Sequence, residues 1–153
     1  MKVLIAVDDS AYSRAAMDWV ERVSWPADTV FLVVSAARPV MAAYALADAG
    51  GSFSGSLFED ETKRHEEIAA RYERKVKECG YPSAAIVEQG DPRDVIVRLA
   101  KERGADLIVV GSHGRSGISK LILGSVANHV VTHAPCSVMV VKQPRGADAR
   151  MAS

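Results

Sequence analysis

Val109-Val110-Gly111-Ser112-His113-Gly114-Arg115-Ser116-Gly117, running on to Leu123-Gly124-Ser125-Val126, decides how the rest of the chain is read. An apolar run ends in a glycine- and serine-rich turn, and a helical pattern opens soon after it. Glycine lets a backbone approach a bulky ligand and tolerates positive φ. A helix N-terminus adds N–H groups and a dipole that favours an anion. The stretch therefore reads as a phosphate cradle, with a flexible strand-to-helix loop as the plain alternative. It is neither Gly-x-x-x-x-Gly-Lys-Ser/Thr nor Gly-x-Gly-x-x-Gly, so its spacing is suggestive and not diagnostic.

Moving outward, 153 residues suit one domain able to bury a core without disulfides or metal. The 19 basic and 19 acidic residues cancel, so no dominant positive field points to nucleic acid or a membrane surface. Cys79 and Cys136 are too few for a disulfide framework, and their isolation fits a reducing cytoplasm. The run Val3 to Val7 is too short for a signal-peptide core, and nothing reaches transmembrane length. A cytoplasmic protein is expected.

Lys2–Val7, Thr29–Ser35, Ala84–Glu88, Leu107–Val110 and Ser137–Val141 read as strands, the first two as runs buried on both faces. Helices alternate with them. The first carries Ala15, Ala16, Trp19, Val20 and Val23 at helical spacing, with Ser10 or Asp9 as its cap. The second runs from about Leu57 to Cys79 on a stripe of Ile68, Tyr72 and Val76. Asp91-Pro92 opens the third and Gly104 closes it, with Val95, Ile96, Leu99 and Ala100 inward. The last passes through Val126, Ala127, Val130 and Val131 before Pro135. Residues 36–56 lose periodicity and read as a long mobile loop, and residues 143–153 as a disordered tail.

Strands that alternate with helices call for crossover connections and a parallel sheet covered on both faces. Such sheets bind ligands beyond the strand ends, where strand order reverses. A reversal between strands one and four makes Asp8 and Gly111 neighbours. Backbone N–H groups near Gly114, Gly124 and Ser125, with the Ser125 hydroxyl, then face a polyphosphate, and Arg115 and Lys120 can neutralise its outer end. Asp8 or Asp9 can meet ribose hydroxyls or a phosphate-bound magnesium ion. Asp9 reads better as a helix cap, whereas Asp8 has no obvious structural partner. His113 touches ligand or merely shapes the turn. His129 and His133 have the spacing of metal ligands but lack a third, so no metal site is expected. No Ser–His–Asp set can be assembled.

Gly111-x-x-Gly114, nine residues, then Gly124-Ser125 resembles the signature of the ATP-binding branch of the universal stress protein (UspA-like) family. The resemblance extends over nearly the whole chain. It includes Val3 to Ser10, Gly90-Asp91-Pro92, Gly104 to Gly111 and His133 to Val138, while Asp9 replaces the family's usual glycine. It implies a single-domain α/β fold over residues 1–142, Rossmann-like (adenine nucleotide alpha hydrolase-like), a three-layer sandwich with five parallel strands in order 3-2-1-4-5. It further implies ATP, with Mg2+, across the strand ends. Asp8 would contact ribose or adenosine, Val34 would line the adenine pocket, and Val110 and Gly111 would approach the ribose. Gly114, Gly124, Ser125 and Val126 would hold phosphates, with His113 and Arg115 near them. A homodimer through the last strand is also implied.

Three functions remain open from the sequence. One is an ATP-binding regulatory module in stress response with at most weak ATPase activity, since no general base is evident. Another is a slow ATPase or nucleotidyl-transferring enzyme of the same fold. The third is a phosphotransfer receiver domain built on Asp8-Asp9, which would need an acceptor Asp closing strand three.

Overall fold

A computed structural model describes residues 1–38, 56–114 and 123–143. Among these residues five strands and four helices alternate: β1 (Lys2–Ala6), α1 (Ala11–Arg22), β2 (Val30–Ala37), α2 (Ser56–Glu78), β3 (Ser83–Gln89), α3 (Pro92–Arg103), β4 (Leu107–Gly111), α4 (Ser125–His133) and β5 (Ser137–Val141). All strand pairs are parallel and the order is β3-β2-β1-β4-β5, as expected. The receiver reading fails here. A flavodoxin-like order sets strand three beside strand one, whereas β3 lies at the edge, pairs only with β2, and ends in Gln89.

The central strands are apolar throughout because both of their faces are covered. Val3, Ile5, Phe31, Val33 and Val109 pack under Ala16, Met17, Ile68, Tyr72 and Val76 of α1 and α2. On the opposite face Leu4, Leu32, Val34, Ile108 and Val110 meet Val95, Ile96, Leu99, Ala127 and Val130 of α3 and α4. Burying one such side chain contributes about 1.5–3 kcal/mol, so these two layers dominate the fold's stability. β2 runs to Ala37, beyond its expected end at Ser35, because Ala36 and Ala37 pair with Glu88 and Gln89. Ser56, the other end of the loop expected over 36–56, opens α2; residues 39–55 of that loop and 144–153 of the expected tail lie outside the described residues.

Helix starts follow their chemistry. Ser10, not Asp9, caps α1, its hydroxyl accepting from the Ser13 N–H at 3.1 Å. Asp9 instead pairs with Arg64 of α2. Asp91 caps α3, with Pro92 at the first helical position, and Gly104 ends that helix in the left-handed region at φ 61°. The Arg93 guanidinium holds the Asp91 carboxyl at about 2, below the usual carboxylate range. Its cap therefore contributes fully above the ordinary range and is lost as pH falls toward about 2. Asp91→Ala is expected to cost about 1 kcal/mol near neutral pH. Urea unfolding should register that difference near pH 7 and see it shrink progressively in acid.

Candidate functional site

β1 and β4 are neighbours whose connections leave to opposite sides of the sheet, and a cleft of about 520 Å³ opens over their carboxyl ends. That is the size of a small-molecule site. Its lining includes Asp8 after β1, Val34 of β2, Val110 and Gly111 of β4, His113 and Gly114 of the following loop, and Gly124, Ser125 and Val126 at the start of α4. Nine of the ten residues singled out in the sequence thus border one cavity. Arg115 lies outside the described residues, and so does Lys120.

Asp8 is held rather than loose, contrary to the expectation that it lacks a structural partner. Its Oδ1 accepts from the Ser10 N–H at 3.0 Å and from the Ser13 hydroxyl at 2.6 Å. The Asp8 N–H in turn donates to Ser13 Oγ at 2.9 Å. The other oxygen, Oδ2, stands 3.0 Å from the place a Cβ on Gly114 would occupy. One carboxylate oxygen therefore fixes the β1–α1 turn while the other lies against the glycine loop. Ser13 is buried by its position one turn into α1, and its spacing from Ser10 was the available signal for it.

The three glycines differ in purpose from the sequence reading. None adopts positive φ; among the described residues only Gly80, Gly90 and Gly104 do. A Cβ on Gly111 would come within 2.8–2.9 Å of Tyr12, backbone included. Its missing side chain thus admits the first turn of α1 rather than a ligand. Gly124 is the N-cap of α4 and offers no side-chain hydrogen bond. Its own N–H, expected to face phosphate, donates to the Ser112 carbonyl at 2.7 Å. The first-turn N–H groups of Ser125, Val126 and Ala127, which no earlier turn of the helix can pair, belong to residues that border the same cavity. α1 and α3 have their N-termini closed by Ser10 and Asp91, whereas α4 opens without a side-chain cap. The His113 ring leans on Tyr12 at 5.0 Å between centroids, and its Nδ1 lies 3.2 Å from Ser112 Oγ.

One polar cluster beside the cleft carries no sequence motif. His65 of α2 is 4% exposed and Ser35 of β2 is fully buried. Their side chains meet at 2.7 Å, and His65 with Glu61 lines the cleft. The signal was the α2 stripe itself, since His65 precedes Ile68 by three residues on the inward face. Elsewhere, His129 and His133 stack at 4.1 Å, and the His133 ring bonds to the His129 carbonyl. Among the described residues no three His, Cys, Asp or Glu side chains are grouped to hold a metal, and no helix is long and apolar enough to cross a membrane.

Comparison with known proteins agrees with this architecture. The model of the universal stress protein family matches residues 1–142. Universal stress protein A homolog 2 of Coxiella burnetii is 34% identical over 145 residues, covering 92% of this chain and 94% of its own. Universal stress protein MJ0531 of Methanocaldococcus jannaschii is 36% identical over 80 residues, or 52% of this chain, and the match spans about half of its length, 47%. In structure the chain is similar to protein MJ0577 (TM-score 0.76, 22% identity, 95% of this chain and 97% of the other). It is also similar to a family protein of Arabidopsis thaliana with AMP bound (TM-score 0.66, 23% identity, 97% and 94%). A universal stress protein in complex with cAMP is a further neighbour (TM-score 0.65, 24% identity, 93% and 96%). These structural likenesses establish the fold, and the family match over nearly the whole chain establishes more: the chain belongs to the universal stress protein family.

Proposed function

We propose that this chain is a nucleotide-dependent regulatory module that binds ATP, carrying its solution Mg2+, in the cleft over β1 and β4. The observation that carries the proposal is the meeting of Asp8, Gly114 and the side-chain-uncapped start of α4 around one cavity. The fit is chemical. Ser125, Val126 and Ala127 supply main-chain donors and Ser125 a hydroxyl, and hydrogen bonds to a charged group contribute about 1.5–3 kcal/mol each. Asp8 Oδ2 is the acceptor suited to ribose hydroxyls. Val34, Val110 and Ile96 form apolar walls for a base. The AMP and cAMP held by the two structural neighbours support an adenine nucleotide in general, and the triphosphate is the finer reading, drawn from the resemblance of the spaced glycine motif to the ATP-binding branch of the family.

Binding, not turnover, is the proposed role. Asp8 Oδ1 is occupied in fixing the β1–α1 turn, and Oδ2 is assigned to ribose. The proposed assembly is a homodimer through β5, an edge strand whose Val138, Met139 and Val140 are only half-buried in the single chain; the proposed location is the cytoplasm. Purified protein, denatured and analysed by mass, is expected to release ATP or another adenine nucleotide in near-stoichiometric amount. Release of none, together with no binding of added adenine nucleotide at millimolar concentration, overturns the proposal.

A further inference from the structure

We propose that Ser35, His65 and Glu61 form a proton-binding element of the nucleotide cleft, so that an anionic nucleotide binds together with a proton taken up by His65. The inference rests on the nucleotide-binding reading above and adds to it a residue cluster and a mode of regulation.

The geometry excludes the obvious alternative, a hydrolytic triad. Ser35 is fully buried and does not border the cleft. Its Oγ lies 2.7 Å from His65 Nδ1 and 3.0 Å from the Val7 carbonyl oxygen. The Glu61 carboxylate lies on the other ring nitrogen, Nε2, at 3.3 Å. The serine is therefore the buried anchor of the chain, and the histidine and glutamate form the end that faces ligand.

Counting protons identifies the state in which every partner of the ring is matched. Ser35 has one hydroxyl proton and two partners that can accept it. If it donates to Val7, Nδ1 must carry a proton to donate to Ser35 Oγ; a neutral ring then turns the bare lone pair of Nε2 toward the Glu61 carboxylate. If it donates to Nδ1 instead, the Val7 carbonyl loses that donor. Only the imidazolium, with both nitrogens protonated, gives Ser35, Val7 and Glu61 a correctly matched hydrogen atom each. A leucine or valine would continue the apolar stripe of Ile68, Tyr72 and Val76, so packing alone does not call for a histidine.

The charge around the ring makes the switch responsive to ligand. Glu61 and Arg64 stand near it on α2, Asp8 and Asp9 at the end of β1, Arg38 at the end of β2, and His113 across the cleft. Arg64 is engaged by Asp9. A nucleotide phosphate adds negative charge to the cavity that His65 and Glu61 line, beside a ring whose class of side chain changes charge between about pH 5 and 8. It stabilises the protonated ring, and by reciprocity the protonated ring binds the phosphate more tightly.

The test uses cAMP, whose phosphodiester keeps a constant single charge over this range. Affinity for the wild type is expected to rise at least fivefold, on the order of the smallest usual coupling, between about pH 8 and 5.5. Calorimetry in two buffers of different ionisation enthalpy should record proton uptake on binding. His65→Gln and His65→Asn, checked for cooperative melting, are expected to bind with an almost flat pH profile, whereas His133→Gln, outside the cleft, keeps the slope. An unchanged slope in the folded His65 variants, or its equal loss in His133→Gln, overturns the inference. If neither His65 variant folds, NMR of the wild-type His65 ring decides: its titration midpoint must move up on adding cAMP, and an unmoved midpoint overturns the proposal. Absence of binding at every pH is a separate result, for it removes the nucleotide-binding reading and this inference with it.

Discussion

Gly114→Val is expected to weaken adenine-nucleotide binding at least about tenfold, or ~1.4 kcal/mol, while the chain still folds. Gly114 follows β4 in the loop that borders the cleft, and its backbone does not need positive φ. A Cβ there would sit 3.0 Å from Asp8 Oδ2, and the two further methyl groups of valine would fill space intended for ligand. The carboxylate is tied at its other oxygen to Ser10 and Ser13, so it cannot swing aside without loosening the β1–α1 turn. Titration calorimetry on nucleotide-stripped protein measures the loss, and a melting curve close to wild type establishes that the fold is intact.

Gly111→Val should behave in the opposite manner, with the fold itself as the casualty. Here the added Cβ meets Tyr12 Cβ at 2.8 Å and the Tyr12 carbonyl carbon and oxygen at 2.9 Å. Helix backbone cannot give way as a flexible side-chain tip can. Tyr12 belongs to the first turn of α1, which Ser10 caps and Asp8 braces, so relief would require moving the helix off the sheet. Overpacking of this kind costs about 1–3 kcal/mol and occasionally more; about 3 kcal/mol is expected here. Denaturant unfolding reads it directly. The pair of substitutions separates two purposes of glycine that look identical in a motif: one glycine keeps a cleft open, the other lets a helix lie against a strand end.

That distinction marks the limit of what could be read before the structure. The central strands were legible because burial on both faces leaves continuous apolar runs such as Val3 to Val7 and Phe31 to Val34. The caps of α3 were legible because Asp91-Pro92 and Gly104 each carry a conformational meaning of their own. Between Asp9 and Ser10 the choice of cap depended on backbone direction, and Asp9 proved to be occupied by Arg64 of a distant helix. The extra two residues of β2 came from pairing with β3, a tertiary cause that alanines do not announce.

For the cleft, Asp8 and the spaced glycines could be joined on paper because an alternating α/β chain brings strand ends together at an order reversal. The hydrogen bonds of Asp8 to Ser10 and Ser13 could not, since they depend on how the turn folds back. Ser35 and His65 were further out of reach. A serine in an apolar strand and a histidine on a helix stripe each have an ordinary explanation, and only the packing of α2 against β2 sets them 2.7 Å apart.

Whether this universal stress protein binds adenine nucleotide through the Asp8–Gly114–α4 cleft is decided by one titration series. Nucleotide-stripped wild type and Gly114→Val are each titrated with ATP, ADP, AMP and GTP. Saturable binding of the adenine nucleotides to wild type is expected, with weaker binding of GTP and at least about a tenfold loss in the variant. Failure of every adenine nucleotide to bind wild type at millimolar concentration, or undiminished binding by the folded variant, would contradict that assignment.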